Sequence, residues 1–515
     1  MAMIDEVHRP TNPDHRRDVA RAQAALLDPA MAHIVDLVLS VDGDTYTAAA
    51  VDGHVRFRAA AEPSGWHVDV IEVEGRDPLG DQRTDHLVGL DAERAAPFPD
   101  RRANAYPFAF DQIIQLFDSP AAPDLVAIHT AAHHWGDQGG HLGEHGSIGV
   151  VQARAPFVLS GCGVRRLGVV PQAARLVDIA PTVLALLGAA PVGGVGRSGL
   201  PRPDALLRRQ DGEVLVDLLD PSEHPDHVVG FLLDGANANV LYDLAASGDA
   251  PNVARLMADG ATLGHGAMSC LPTVTLANHT SILTGSYPGH HGILHNAWWD
   301  RARQEQVITN SPATWVTSME RLSPDVETLF QAVHRAFPGS VAASINEPCD
   351  TGADWSIFDL LRRGEPIERP PAAEELPDAT QRFVRPVKEY RWSSLIDHTA
   401  TEQFVGLWSG QHHGRAWDLP RFTWVNFSLT DAAFHEGGPY SDIARASVHD
   451  TDARIGRVLD AVERAGVFER TAFFLTADHG MEQSDVTCTG NWADALDACG
   501  VAYRDEGYSF IYVNP

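Results

Sequence analysis

Three things are scarce in this sequence. Positive charge is the first: 39 Lys and Arg stand against 69 Asp and Glu, a formal net charge of −30. Phosphate backbones are gripped by clustered Lys and Arg, so this balance argues against duplex nucleic acid as a partner. It leaves room for a small phosphorylated substrate if bound cations reverse the sign locally. Cysteine is the second. The five thiols (Cys162, Cys270, Cys349, Cys488, Cys499) are odd in number, widely spaced and without a CxxC pair. That argues against a disulfide framework and a thiolate zinc site, and suits free thiols in a reducing compartment. Long apolar runs are the third. No stretch of about 18 apolar residues occurs, and the opening "MAMIDEVHRPTNPDHRRD" has no signal-peptide core. The expectation is a soluble, cytoplasmic protein with no membrane partner.

What is present is ordinary globular chain, 515 residues with 44% hydrophobic and 21% charged side chains, enough for a large core. Short apolar runs end abruptly in polar or glycine-rich residues: "PDLVAIHTA" (123–131), "RAPFVLSGCG" (154–163), "HVVGFLLDG" (227–235), "SVAASIN" (340–346), "FTWVNFSLTD" (422–431) and "RTAFFLTADHG" (470–480). Such runs suit strands of a parallel sheet buried on both faces. Helical patterns such as "VDIAPTVLALLG" (177–188) and the stretch 440–466 lie between them. The alternation predicts an α/β fold with ligands beyond the carboxyl ends of the strands.

Residues 1–120 are expected to form an N-terminal α/β segment, with a small antiparallel element in the alternating pattern of 35–72. Residues 201–225 read as a connector. The Pro-, Arg- and Glu-rich stretch 347–420 reads as a cap or insertion within a main part spanning 226–515.

Three runs finish in acids: Asp234, Asp431 and Asp478, the last followed by His479. One strand-end Asp is usually structural; three together suggest a ligand set. His435 follows Asp431 by four residues in "DAAFHEGGP", near enough to share an ion if the segment turns. Carboxylate with imidazole suits zinc, or manganese or iron where oxygen donors are more numerous. The stretch "LPTVTLANHTSILTGSYPGHHGILHN" (271–296) offers Thr273, Thr275, Thr280 and Ser281 as nucleophiles, and composition cannot choose among them. A hydroxyl opening a helix beside bound cations would be activated, and the helix N-terminus would favour a phosphate.

These residues, "LLDG…PNVARLMADGA…LPTVTLANHTSILTGSYPGHHGI…N", resemble the alkaline phosphatase superfamily, in particular its type I phosphodiesterase/nucleotide pyrophosphatase branch, with phosphonoacetate hydrolases nearby. The resemblance covers roughly 226–300 and 420–485. It implies a three-layer sandwich around a mostly parallel sheet and a site holding two divalent ions, zinc in the first instance. Asp234, Asp478 and His479 with the nucleophile would serve one ion, and Asp431 and His435 the other. The family's "TFPNH" pattern places the nucleophile at Thr275, with a phospho-threonine intermediate, and its phosphate-binding Asn at Asn296. Leu276 stands where nucleotide-cleaving members usually carry a base-stacking aromatic. Carbon–phosphorus or phosphomonoester hydrolysis on the same site, and non-catalytic binding of a phosphorylated ligand, are the other readings.

The family's second ion takes one more His, from a "GxHG" loop downstream of "DHG", yet no histidine follows His479. The missing motifs appear earlier. Residues 121–200, "PDLVAIHTAAHHWGDQGGHLGEHGS…RAPFVLSGCGV…LVDIAPTVLALLG", resemble the family's C-terminal stretch and place the ligand at His145, with His141 as the fallback. The order implies a circular permutation joined through 201–225; a degenerate second copy is the rival account. His279 and His291 read as packing and turn residues. His129, His133 and His134 read as supporting or surface groups, and Trp298–Trp299 as packing or a stacking surface.

Overall fold

The computed structural model describes residues 12–136, 140–365 and 388–515. Two sheets organise it. In chain order their strands are β1 (Val35–Asp42), β2 (Thr45–Ala50), β3 (Gly53–Glu62), β4 (Gly65–Gly75), β5 (Leu125–His129), β6 (Phe157–Gly161), β7 (Gly168–Val170), β8 (His227–Leu233), β9 (Gly260–Leu263), β10 (Ala342–Ile345), β11 (Trp355–Ser356), β12 (Phe422–Phe427), β13 (Thr471–Thr476), β14 (Tyr503–Glu506) and β15 (Phe510–Val513).

The main sheet runs β11-β10-β12-β8-β13-β6-β9-β7 and is mostly parallel. β12 and β13 are buried along their whole length, and β8 at every residue but its first, as strands covered on both faces must be. Helices Lys388–Trp408, Leu429–Gly437 and Asp442–Arg464 pack on one another in one set; Ile179–Leu186, Thr275–Thr284 and Leu329–Ala336 form another. This is the expected mostly parallel α/β architecture. Gly230, in the middle of β8, is glycine for a steric reason: a Cβ there would sit 2.0 Å from the Trp424 ring.

The second sheet runs β14-β15-β5-β1-β2-β3-β4 and every pairing in it is antiparallel. The element expected over 35–72 is therefore four strands of a much larger sheet. "PDLVAIHTA" belongs here too, as β5, rather than in the parallel sheet. β5 is central in this sheet, with Val126 and Ile128 in one apolar core and Leu125 and Ala127 in another. A strand covered on both faces reads as a continuous apolar run whichever way its neighbours point. "RAPFVLSGCG" does join the main sheet, as β6, but antiparallel to β13 and β9.

Within 347–420, β11 forms an edge of the main sheet and Lys388–Trp408 packs against β12 and the helix Asp442–Arg464. Residues 366–387 of that stretch lie outside the described residues. No helix among the described residues is long and apolar enough to cross a membrane.

Candidate metal centre

Four neighbouring parallel strands, β10, β12, β8 and β13, deliver an acid at or just beyond their carboxyl ends: Glu347, Asp431, Asp234 and Asp478. This is where an open α/β sheet exposes a ligand site. Asp431 lies in the first turn of Leu429–Gly437 and His435 one turn later, so the helix puts both on one face. His435 Nε2 lies 3.3 Å from Asp431 Oδ1 and 3.2 Å from His145 Nε2. Asp431, His435 and His145 thus converge, although His145 and His435 are 290 residues apart in sequence.

Beside them, His479 Nε2 is 3.1 Å from Asp478 Oδ2. Asp234 converges with Asp431 and His479 on one side and with Asp478 and His279 on the other. The His145 and His479 rings stack with centroids 3.7 Å apart. Ligand atoms around a tetrahedral ion with bonds of about 2.0–2.1 Å stand roughly 3.3 Å from one another, close to these separations.

The histidines share one arrangement. Nδ1 is anchored on a main-chain carbonyl: His145 on Thr273, His435 on Gly143 and His479 on Gly480. Such anchoring fixes the tautomer and leaves Nε2 for the centre. The loop carrying His145 is stapled in place. Gly143–Glu144 pairs antiparallel with Glu482–Gln483, and Leu142 N donates to His435 O. Gly143 must be glycine, because a Cβ would lie 2.4 Å from Phe434 O. His141 is exposed with its ring 4.5 Å from that of His435; with Glu144 it forms a separate grouping that would also draw on His435.

The charges of the centre demand compensation. Burial, then the carboxylates of Asp478 and Asp431, push Asp234 well above the usual carboxylate range. Burial, then His479 and His435, holds His145 well below the usual imidazole range, in the neutral form a metal needs. Asp234 Oδ1, Asp431 Oδ1, Asp478 Oδ2 and His479 Nε2 are buried without a hydrogen-bond partner among the described residues. Orphaned buried acceptors of this kind are costly unless a cation or water satisfies them. The donor set, carboxylate oxygen with imidazole nitrogen, fits two divalent ions.

The four hydroxyls that composition left open now separate. Thr273 Oγ1 donates to Ser147 O and accepts from Gly146 N, Thr280 donates to Leu276 O, and Ser281 donates to Ala277 O. Thr275 is half-buried at the first position of its helix, and its hydroxyl has no such partner among the described residues. It lies one turn before His279 on the same face.

Asn296 is half-buried with an unpartnered Oδ1, ahead of the hairpin formed by Ala297–Asp300 and Glu305–Ile308. It makes no hydrogen bond to the cluster among the described residues. Leu276 is 1% exposed and packs in the same apolar core as Trp298; Trp299 lies beneath the Arg504 guanidinium. His291 bonds Ser281 and Ala277, as a packing residue would. His129, His133 and His134 are buried rather than at the surface, and His129 Nε2 meets His145 O at 3.3 Å.

Sequence reasoning missed two groups. His279, read as packing, has Nδ1 2.9 Å from Glu347 Oε2 and Nε2 3.5 Å from Asp478 Oδ2 and 3.7 Å from Asp234 Oδ2. Burial opposes its charge, but Glu347 and then Asp478 outweigh it and hold the ring well above the usual imidazole range. Glu347 carried the signal that flagged the other acids, a carboxylate just past an apolar strand, but it opened the stretch set aside as a cap.

A family model of type I phosphodiesterase/nucleotide pyrophosphatase matches residues 228–515, more than half of the chain. The chain belongs to this family. Other proteins similar to this phosphodiesterase-family chain include ectonucleotide pyrophosphatase/phosphodiesterase 1 of Saccharomyces cerevisiae, 23% identical over 44% of this chain and 30% of the relative. An uncharacterized pyrophosphatase/phosphodiesterase of Schizosaccharomyces pombe is 23% identical over 54% of this chain and 49% of its own. Each match spans less than half of the relative's length. Among solved structures, murine ectonucleotide pyrophosphatase/phosphodiesterase 5 in complex with AMP aligns at 18% identity over 50% of this chain and 57% of its own, with a TM-score of 0.36. Phosphonoacetate hydrolase from Sinorhizobium meliloti aligns at 20% identity over the same shares, 50% and 57%, with a TM-score of 0.32.

Proposed function

We propose that this protein is a metal-dependent hydrolase of phosphate esters, a phosphodiesterase or nucleotide pyrophosphatase working through Thr275. One observation carries the reading: orphaned carboxylates and carbonyl-anchored imidazoles converge at the ends of parallel strands, beside a helix opened by a threonine whose hydroxyl has no partner among the described residues. Asp431, His435 and His145 would hold one divalent ion, and Asp234, Asp478 and His479 the other. Two bound cations, zinc, manganese or iron, would supply activation of hydroxyls and neutralisation of developing negative charge.

In the proposed reaction Thr275 Oγ1 loses its proton and attacks phosphorus in line. The P–O bond to the leaving group breaks, giving phospho-threonine and an alcohol or nucleotide product. Water then cleaves the Thr275–phosphorus bond, restoring the hydroxyl and releasing the phosphate product. The first-turn N–H groups of Thr275–Thr284 present the positive helix end to the phosphoryl oxygens. The Asn296 side chain would contribute to equatorial oxygen binding. The substrate is read as a small phosphorylated molecule, in a cytoplasmic setting.

The carbon–phosphorus reading keeps one specific support. Leu276 and Trp298 are buried in a core, so neither offers a face for stacking a base. We also read the chain order as a circular permutation, supported by the His145 loop, from within 121–200, reaching the residues that follow β12 and β13.

The test is a substrate panel on metal-analysed protein loaded with zinc or manganese. Faster turnover of an activated diester than of a monoester or phosphonoacetate, lost in Thr275→Ala, is the expected result. Equal or faster release from phosphonoacetate selects the second reading. No turnover with metal bound leaves only ligand binding.

A further inference from the structure

The centre contains one histidine too many for its ligand set. Catalytic metal sites keep a coordination position open, commonly with three protein ligands per ion. Asp431, His435 and His145 fill one such set, and Asp234, Asp478 and His479 the other. A seventh protein ligand would occupy the position that the Thr275 hydroxyl requires. Yet His279 is 1% exposed, its Nε2 directed at Asp234 and Asp478 and its Nδ1 at Glu347, itself fully buried.

Carboxylate oxygens only accept hydrogen bonds. The ring therefore stands between acceptors, with Glu347 at Nδ1 and the two aspartates at Nε2, at ion-pair distances and without completed hydrogen-bond geometry at either nitrogen. The nitrogen-to-aspartate separations of 3.5 and 3.7 Å, like the 3.1 Å between His479 and Asp478, are near ligand spacing, so it is the filled ligand set that leaves His279 a supporting role. His279 also differs from the other three histidines in its anchor, a carboxylate instead of a main-chain carbonyl. Being one turn beyond Thr275, it ties the nucleophile's helix to two strand-end acids.

Resting on the two-metal reading above, we propose that Glu347 and His279 are a positioning pair: the ring, oriented by Glu347, holds Asp234 and Asp478 in their metal-binding rotamers without itself ligating. The pair then sets the affinity of the ion held by Asp234, Asp478 and His479, and leaves the ion at Asp431 untouched.

The test uses the full-length protein with Glu347→Gln, His279→Gln and the double substitution. Zinc content is measured by elemental analysis, zinc affinity by chelator competition, and coordination by the visible spectrum of the cobalt-loaded protein. Each variant is expected to retain two equivalents, with one of them bound about 10–100-fold more weakly, the usual effect of losing an outer-shell partner. The cobalt band intensities should stay as in the wild type. The double variant should be no weaker than His279→Gln, because Glu347 acts through the ring. Loss of one equivalent with altered cobalt bands would make His279 a ligand and overturn the proposal. Unchanged affinity in Glu347→Gln would overturn it as well. Should His279→Gln fail to fold, the near-isosteric Glu347→Gln decides by the same measurements. Wild-type protein that takes up fewer than two equivalents would instead defeat the two-metal reading.

Discussion

Thr275 and Thr273 are two residues apart, chemically identical, and placed for different work. Thr273 uses its hydroxyl to hold Gly146 N and Ser147 O, and its carbonyl to hold His145 Nδ1. Thr275, at the first position of its helix, has no hydrogen-bond partner for its hydroxyl among the described residues. Thr275→Ala is therefore expected to lower kcat/KM by at least about 10³-fold, as loss of a nucleophile does, with unchanged metal content. Thr273→Ala should instead leave Gly146 N and Ser147 O without their partner and cost about 1–3 kcal/mol of stability. Steady-state kinetics paired with thermal unfolding separates the two. The sequence supplied the four candidate hydroxyls but could not set Thr273 aside, because its partners Gly146 N and Ser147 O lie in a loop more than a hundred residues away. Asp234, Asp431 and Asp478 were legible because an acid closing an apolar strand is a local signal. His279 was not, since nothing within its helix reports the three carboxylates around its ring.

Among elements, the stretch 201–225, read from sequence as a connector, holds a buried ion pair. Asp211 accepts from Tyr287 N and pairs with His290 at 2.6 Å, clamping the turn after the helix Thr275–Thr284. Burial alone would raise Asp211, but His290 and Arg209 outweigh it and hold it at about 2. Burial alone would lower His290, and Asp211 outweighs it in the other direction. The carboxylate's contribution is thus present above its unfolded value of 3.8 and lost as pH falls toward about 2. The imidazole's contribution is present below its unfolded value of 6.5 and lost as pH rises through its raised folded value. Asp211→Asn should cost about 3 kcal/mol between those limits, since it breaks a buried pair. In denaturant titrations its gap to wild type should narrow toward pH 2 and again at alkaline pH.

The His145 loop is the other critical element. Gly143→Ala would force a Cβ against Phe434 O and is expected to weaken binding of the ion at Asp431 while Thr275–Thr284 stays helical, read by metal content and circular dichroism. Element types were easier to foresee than their partners. β5 is a strand, as its apolar run requires, but a run buried on both faces carries no sign of its neighbours' direction. The antiparallel sheet was underestimated because it gathers β1–β4, β5 and β14–β15 from three distant parts of the chain.

For the whole molecule, the proposed two-ion reading makes folding and metal binding one equilibrium. Buried carboxylates that crowd together without cations oppose the folded state, and ions that bind only the folded form raise its stability by mass action. A chelator should lower the unfolding temperature, and added zinc should restore it, as followed by calorimetry. The division between early and late chain also has a cost if cut. β6 lies between β13 and β9, so a chain starting at residue 226 would lose an interior strand of the main sheet together with His145. Such a fragment should lack a cooperative unfolding transition.

The carbonyl anchors have a thermodynamic consequence. His435 leans on Gly143, in the loop of His145; His145 leans on Thr273, in the segment that leads into Thr275. On the proposed reading, loading an ion at Asp431 would bias the same backbone that a phosphoryl group would meet at the helix start. Linkage between two binding events is reciprocal. A phosphate analogue seated at Thr275 should slow zinc loss from the far ligands by tightening it, and zinc should tighten the analogue by the same factor. The site would then behave as a two-key lock, each key holding the other in place.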